Sequence, residues 1–155
     1  MAYLTGYDAC DYRDIPRKIG RRIAVFPYLD GPCKWPAEAF TAFRSTLLRP
    51  VAGLWRITTQ ANELAEVFDW EAGTAPLALV NDAIAKRSAA YLPSVVYVSL
   101  SKWDDAKAAV RFPVAWWVAD WTGRPHLPEG ASACQFTSFP SYDQSVLAPG
   151  FPQAV

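Results

Sequence analysis

The sequence predicts an α/β fold in which βα units curl around a mostly parallel sheet, and two patterns carry that expectation. Short runs rich in β-branched and aromatic residues alternate with longer stretches of helical periodicity. One run, Val114-Ala115-Trp116-Trp117-Val118-Ala119-Asp120, is almost continuously apolar, as expected of a strand buried on both faces. The chain of 155 residues reads as a single domain, 1–155, long enough for a sizeable core.

The elements follow in order. Residues 3–7 form a first predicted strand ending at Asp8, and residues 22–26 a second, ended by Pro27. Pro36 opens a helix in its first turn, Phe40, Phe43 and Leu47 recur at helical spacing, and Pro50 stops it. Residues 51–57 and 66–70 are the next strands. A helix over 76–91 places Leu77, Val80 and Ile84 on one face and Lys86 and Arg87 on another. Residues 94–99 give the clearest strand, residues 103–110 a short helix closed by Pro113, and residues 114–120 the apolar strand above. Residues 133–137 are the last predicted strand, followed by a proline-rich loop and tail. No internal repeat or interdomain linker interrupts the series.

Composition narrows the function. Apolar residues make up 52% and charged residues 19%, which is a folded chain and not a disordered one. Lys plus Arg equals Asp plus Glu at 15 each, so nothing favours nucleic acid or an anionic membrane as partner. The basic cluster at residues 17–22 reads as a solvated turn before a strand, with a local contact to an anionic polymer as the alternative. No apolar run approaches the ~20 residues of a membrane span, and residues 1–8 lack the features of a secretory signal, so synthesis in the cytoplasm is expected. Cys10, Cys33 and Cys134 are odd in number and form no CxxC pair, which predicts buried free thiols. His126 has no second histidine and no neighbouring nucleophile in sequence, which argues against a catalytic triad or a histidine metal site. No nucleophile elbow, P-loop or dinucleotide fingerprint is present.

The acids form a series. Asp8, Asp69 with Glu71, and Asp120 each fall at or just past the end of a predicted strand, and Asp143 adds a late member. On a strand, residues i and i+2 share a face with Cα atoms roughly 6.5–7 Å apart, so Asp69 and Glu71 would project together. An ordinary solvated strand end carries such a pair too. Several acids on one rim point instead to a site, because the strand ends of a parallel barrel share one face and chemistry gathers there. Two carboxyls in different environments suit glycosidic-bond cleavage, one held protonated and one ionised. Tyr12, Trp70, Tyr97, Trp121 and Tyr142 near the same ends would supply flat surfaces against sugar rings, whereas Trp116 and Trp117 read as core.

Six short segments, in order, resemble the glycoside hydrolase family 25 lysozymes and the related glycoside-hydrolase-like domains of actinobacteria and their phages. They are Gly6-Tyr7-Asp8, Phe68-Asp69-Trp70-Glu71, Val96-Tyr97-Val98-Ser99, Trp117-Val118-Ala119-Asp120-Trp121, Cys134-Gln135-Phe136-Thr137-Ser138 and Tyr142-Asp143-Gln144-Ser145. The resemblance implies a TIM-type (β/α) barrel. A full barrel takes eight strands and ~200 residues or more, so this one would be shortened or incomplete. The turn after Asp8 (Ala9-Cys10-Asp11-Tyr12) and the Gln144-Ser145 pair after Asp143 depart from the family pattern.

The resemblance also implies roles. Glu71 would protonate the leaving oxygen of a β-1,4 bond between N-acetylmuramic acid and N-acetylglucosamine, with its pKa raised by apolar neighbours such as Trp70. Asp69 would position the acetamido group or a water, Asp8 and Asp143 would tune Glu71, and Gln135, Tyr97, Asp120, Trp121, Trp70 and Tyr142 would line the cleft. No metal or organic cofactor is implied. The implied partner is peptidoglycan or another glycan, reached from a virion or by release to the cell wall. The alternative is a non-catalytic glycan-binding or structural module of the same fold, with self-association or phage-structural partners.

Overall fold

The computed structural model describes residues 3–16, 23–46, 53–60, 63, 65–71, 76–90 and 92–152. Its strands are β1 (Leu4–Asp8), β2 (Ile23–Val25), β3 (Gly53–Leu54), β4 (Ile57–Thr58), β5 (Val67–Asp69), β6 (Val95–Ser99), β7 (Ala115–Ala119), β8 (Ala133–Ser138) and β9 (Asp143–Leu147). They make one sheet in the order β3-β2-β1-β9-β8-β7-β6-β5-β4. Every neighbouring pair is parallel except the two made by β9, which runs antiparallel to both β1 and β8. The two ends of that order, β3 and β4, lie on one short stretch of chain. Its backbone bonds back to the segment after β2: Trp55 N–H donates to Val25 O at 3.0 Å and Ile57 N–H to Pro27 O at 2.8 Å. The sheet therefore curls until its edges meet, a shortened α/β barrel.

Strand alternation divides the core in two. Inward positions build one cluster from Ala24, Phe26, Ile57, Val67, Val95, Ala115, Trp117, Ala133 and Leu147. The ring centroids of Phe26 and Trp117 lie 4.3 Å apart, and those of Tyr97 and Trp117 5.0 Å. Gly6 faces this crowded interior, where an added Cβ would come within 2.7 Å of both Leu147 and Phe26. Phe151 packs on Phe26 and Trp55 and fills the end where β9 finishes, opposite the end where the parallel strands finish.

Among the described residues, three α-helices cover outward positions. α1 (Ala37–Thr46) follows Pro36, carries Glu38 in its first turn and Arg44 in its last, and buries Ala39 and Phe43 one turn apart. α2 (Leu77–Ala89) lays Val80, Ala83 and Ile84 on Phe68 and Val96. α3 (Leu100–Ala109) starts directly at the end of β6, three residues before the expected Trp103, and buries Trp103 and Ala106. No helix among the described residues covers the outer face of β8, and Leu127, from the loop after β7, packs there on Cys134, Phe136 and Val146. Replacing βα units by loops and one hairpin is how so short a chain completes the curl.

Three expectations change. Residues 143–147, expected in a proline-rich tail, form β9, because their inward Ser145 and Leu147 complete the interior. The strand expected over 51–57 is two short strands in its described part, since it must pair with β2 at one end and β5 at the other. Cys10 and Cys33 are not free thiols: they form a disulfide, while Cys134 is free and buried. β1 and β2 are parallel neighbours, so the loops that follow them run side by side and bring the two sulfurs together. Trp35 fastens the same loops through its indole N–H, which donates to Ala9 O at 2.8 Å. The predicted basic cluster at 17–22, the helix stop at Pro50 and Tyr91 lie outside the described residues.

The disulfide closes a loop across a sequence separation of 23. Its removal is expected to cost about 3 kcal/mol and to lower Tm by about 6–12 °C. Thermal unfolding with and without a dithiol reductant, and of the double variant Cys10→Ser/Cys33→Ser, measures this. An unchanged Tm after verified reduction would contradict a stabilising bridge.

Candidate active site

Inward alternation continues past the apolar layers to the strand ends, where the inward side chains become polar. β1 delivers Asp8, β5 Asp69, β6 Tyr97 and β8 Gln135. β9 delivers Asp143 from its first residue, because an antiparallel strand begins where its parallel neighbours end. Asp8 and Asp143 are cross-strand partners, as are Asp69 and Tyr97. Asp8, Asp69 and Gln135 are buried, and Asp143 is half-buried.

Gln135 joins four of these strands. Its Nε2 donates to Asp8 Oδ1 at 3.1 Å and to Asp143 Oδ2 at 3.2 Å, and its Oε1 accepts from the Tyr97 hydroxyl. Below it the Trp117 indole donates to Ser145 Oγ at 3.0 Å. Both donors and one acceptor position of the amide are thus occupied, which fixes its orientation.

The electrostatics follow from burial and crowding. Burial pushes Asp8 up to about 8, helped by Asp143 and Asp69 and opposed by the hydrogen bonds from Gln135 and Tyr28. Burial, then Glu71 and Asp30, push Asp69 up to about 7. Burial also raises Asp143. The phenols of Tyr28 and Tyr97 are pushed up by burial and by these acids, so both remain neutral donors. Asp69 Oδ1 is buried without a hydrogen-bond partner. A carboxyl oxygen in that condition has an open position for a ligand donor.

Glu71 lies beyond the end of β5, exposed, and close enough to act electrostatically on Asp69, Tyr28 and Tyr97. Trp70 departs from expectation. Strand alternation turns its ring outward, where it packs with the clusters under α2 and α3 and leaves Glu71 uncovered. Asp120 also faces outward and does not join the acids. Its Oδ2 lies 2.8 Å from His126 Nε2, and the Arg124 carbonyl and Asp120 together raise that imidazole's pKa. His126 was expected to have no nucleophile nearby, yet Cys134 Sγ is 3.8 Å from the same Nε2. This is not a triad, because thiol and carboxylate share one nitrogen and burial pushes the thiol up to about 11. Trp121 is exposed on the rim, and Tyr142 is half-buried, edge-on to Tyr7. Tyr12 packs against Trp35.

Two rim residues escape the sequence reading, Tyr28 and Asp30. They continue the inward series of Ala24 and Phe26 at a spacing of two, a signal hidden by ending the strand at Pro27. Asp30 is buried and accepts from the hydroxyls of Thr58 and Thr59 and from the Thr59 N–H. No group of three His, Cys, Asp or Glu among the described residues is arranged to hold a metal ion.

Raised carboxyl pKa values set a pH dependence of known sign. The unfolded Asp8 and Asp69 titrate near 3.8, the folded ones near 8 and 7. Between those values the unfolded chain has lost protons that the folded chain keeps, so stability falls as pH rises from about 4 to about 8. The expected loss is on the order of a few kcal/mol. Asp8→Asn should flatten the slope and raise Tm at pH 8, as read by thermal unfolding from pH 4 to 8.5. An identical slope in wild type and variant would refute it.

No protein-family model matches the chain, and no curated protein does. Among solved structures, the fold is similar to that of a family 25 glycosyl hydrolase from Bacillus anthracis, at 13% sequence identity, with 96% of this chain and 90% of that chain covered and a TM-score of 0.55. At that identity the likeness is one of fold, and the chain has a glycosyl-hydrolase-like fold.

Proposed function

We propose that this chain is a peptidoglycan-directed glycoside hydrolase that cleaves β-1,4 bonds with a carboxylic acid as proton donor. The observation that carries the reading is the pairing of buried carboxyls, Asp8 and Asp69, with the exposed Glu71 on the same rim. Glycosidic cleavage needs acids in unlike environments. Glu71 is the acid open to a polymer lying across the strand ends; a glycan seated over it strips its water, and in that desolvated state it donates a proton to the leaving oxygen. Asp69, through its unpartnered Oδ1, accepts a hydrogen bond from the sugar's acetamido N–H or from a water. Asp8 and Asp143, tied by Gln135, hold the floor of the cleft, and burial with Asp143 alongside keeps Asp8 largely protonated near neutral pH. The Cys10–Cys33 disulfide suits action outside a reducing cytosol, at a cell wall or on a virion.

Reducing-end release from purified peptidoglycan tests this reading. Wild type is expected to release ends, and Glu71→Gln to lose at least about 100-fold in rate, the usual worth of a general acid. Release by wild type that survives in Glu71→Gln would remove Glu71 from the role. No release by wild type would favour a non-catalytic glycan-binding module.

A further inference from the structure

We infer that the Cys10–Cys33 disulfide is a redox switch on the carboxylate rim. Closed, it holds the chain that leaves β1 behind Asp8 against the chain that leaves β2 and carries Tyr28 and Asp30. Opened to two thiols, it lets those two segments part and water reach Asp8. The inference goes beyond the glycan reading above and does not depend on it.

The bridge lies just past the end of a ladder. The last β1–β2 rung joins Tyr7 to Val25, with Phe26 N–H donating to Tyr7 O at 3.0 Å. No further rung joins these two chains among the described residues, and Asp8 pairs on its other side with Asp143. Beyond the ladder Trp35 supplies two ties. Its indole N–H donates to Ala9 O at 2.8 Å, and its backbone N–H donates to Tyr28 O at 2.9 Å. Ala9 sits between Asp8 and Cys10, and only Lys34 separates Cys33 from Trp35. Disulfide and indole therefore close a small ring between the two segments, one residue away from Asp8. Tyr28 packs on the inward core cluster, on the same side as the acids. The switch thus acts on the inward rim through the backbone that carries it.

The rim has a reason to open when the covalent tie is removed. Burial is the main cause that holds the Asp8 carboxyl at about 8, with Asp143 second. An ionised carboxylate gains free energy from any arrangement that lets water in and moves the like charge away. The disulfide opposes that movement, and two hydrogen bonds resist it less, each being worth little net when water can replace it.

The bridge is also within reach of a reductant. Cys10 is exposed and Cys33 half-buried, and a surface cavity of about 160 Å³ lined by Cys10, Tyr12, Arg13 and Trp35 borders it. Exposed disulfides are the ones that exchange readily with thiols. A dithiol completes the step. One of its thiolates attacks the Cys10 sulfur, the S–S bond breaks and Cys33 leaves as a thiolate. The second thiolate of the reductant then displaces Cys10 and closes its own disulfide. Two electrons pass to the protein, and the reductant's two thiol protons end on Cys10 and Cys33.

The oxidised protein, the protein reduced by a dithiol and the double variant Cys10→Ser/Cys33→Ser are compared at room temperature. Carboxyl NMR titration of Asp8 and hydrogen exchange of the Trp35 indole N–H are the readouts. Asp8 is expected to titrate near 8 when the bridge is closed and at least about one pH unit lower when it is open, because burial is the largest cause of its shift. The indole N–H is expected to exchange roughly tenfold faster in the open form. The double variant should match the reduced protein and ignore the dithiol. Equal Asp8 titrations in the two redox forms would overturn the switch and leave the bridge a brace. Loss of far-UV dichroism on reduction would also overturn it, since the bridge would then hold the whole fold and not the rim. A shifted Asp8 in a protein that releases no reducing ends from peptidoglycan in either form would keep the switch and remove the hydrolase.

Discussion

The Gln135 side chain carries one acceptor oxygen and two donor N–H groups, and the site depends on what they bind. Tyr97 takes the acceptor, and Asp8 and Asp143 take the donors. Those partners come from β6, β1 and β9, so a single amide holds strands that are far apart in sequence at one height. Replacing it by an apolar residue would leave the buried Tyr97 phenol without its acceptor, at a cost of about 1–3 kcal/mol, and take one donor from each carboxyl. β8 carries an amide, neutral and two-sided, where a cation would offer Tyr97 no acceptor and an anion would repel both acids.

Burying carboxyls beside one another works against folding, and the rest of the molecule offsets it. The interior below is filled by Phe26, Trp117, Leu147 and Phe151, close-packed enough that Gly6 has no room for a methyl group. The outer layer is supplied by three helices and one long loop, and the disulfide and the Trp35 indole clamp the loops beside Asp8. Rigidity around the acids is what keeps them from separating to relieve their repulsion, and it is also what a site acting by position requires.

Much of this was legible in the chain. The period-two spacing in residues 67–71 put Asp69 and Glu71 together at a strand end with Tyr97 on a strand nearby, and the apolar run at 114–120 predicted a doubly covered strand. Other features were not. The odd cysteine count concealed a bridge that depends on two loops lying side by side. Pro27 concealed the continuation of the inward series to Tyr28 and Asp30. Trp70 read as a cleft wall, yet the same alternation that turns Asp69 inward must turn Trp70 outward.

The sequence by itself determined most of the strands and helices, though not β9, and which side of each is apolar, because these follow from local periodicity. Tertiary structure alone decided that β9 runs antiparallel between β1 and β8 and so returns Asp143 to the rim beside Asp8. It also decided that Asp120 pairs outward with His126, and that Asp8 and Asp69 lose their water while Glu71 keeps it. Burial and pairing between distant segments are properties of the closed sheet, and no short window of sequence contains them.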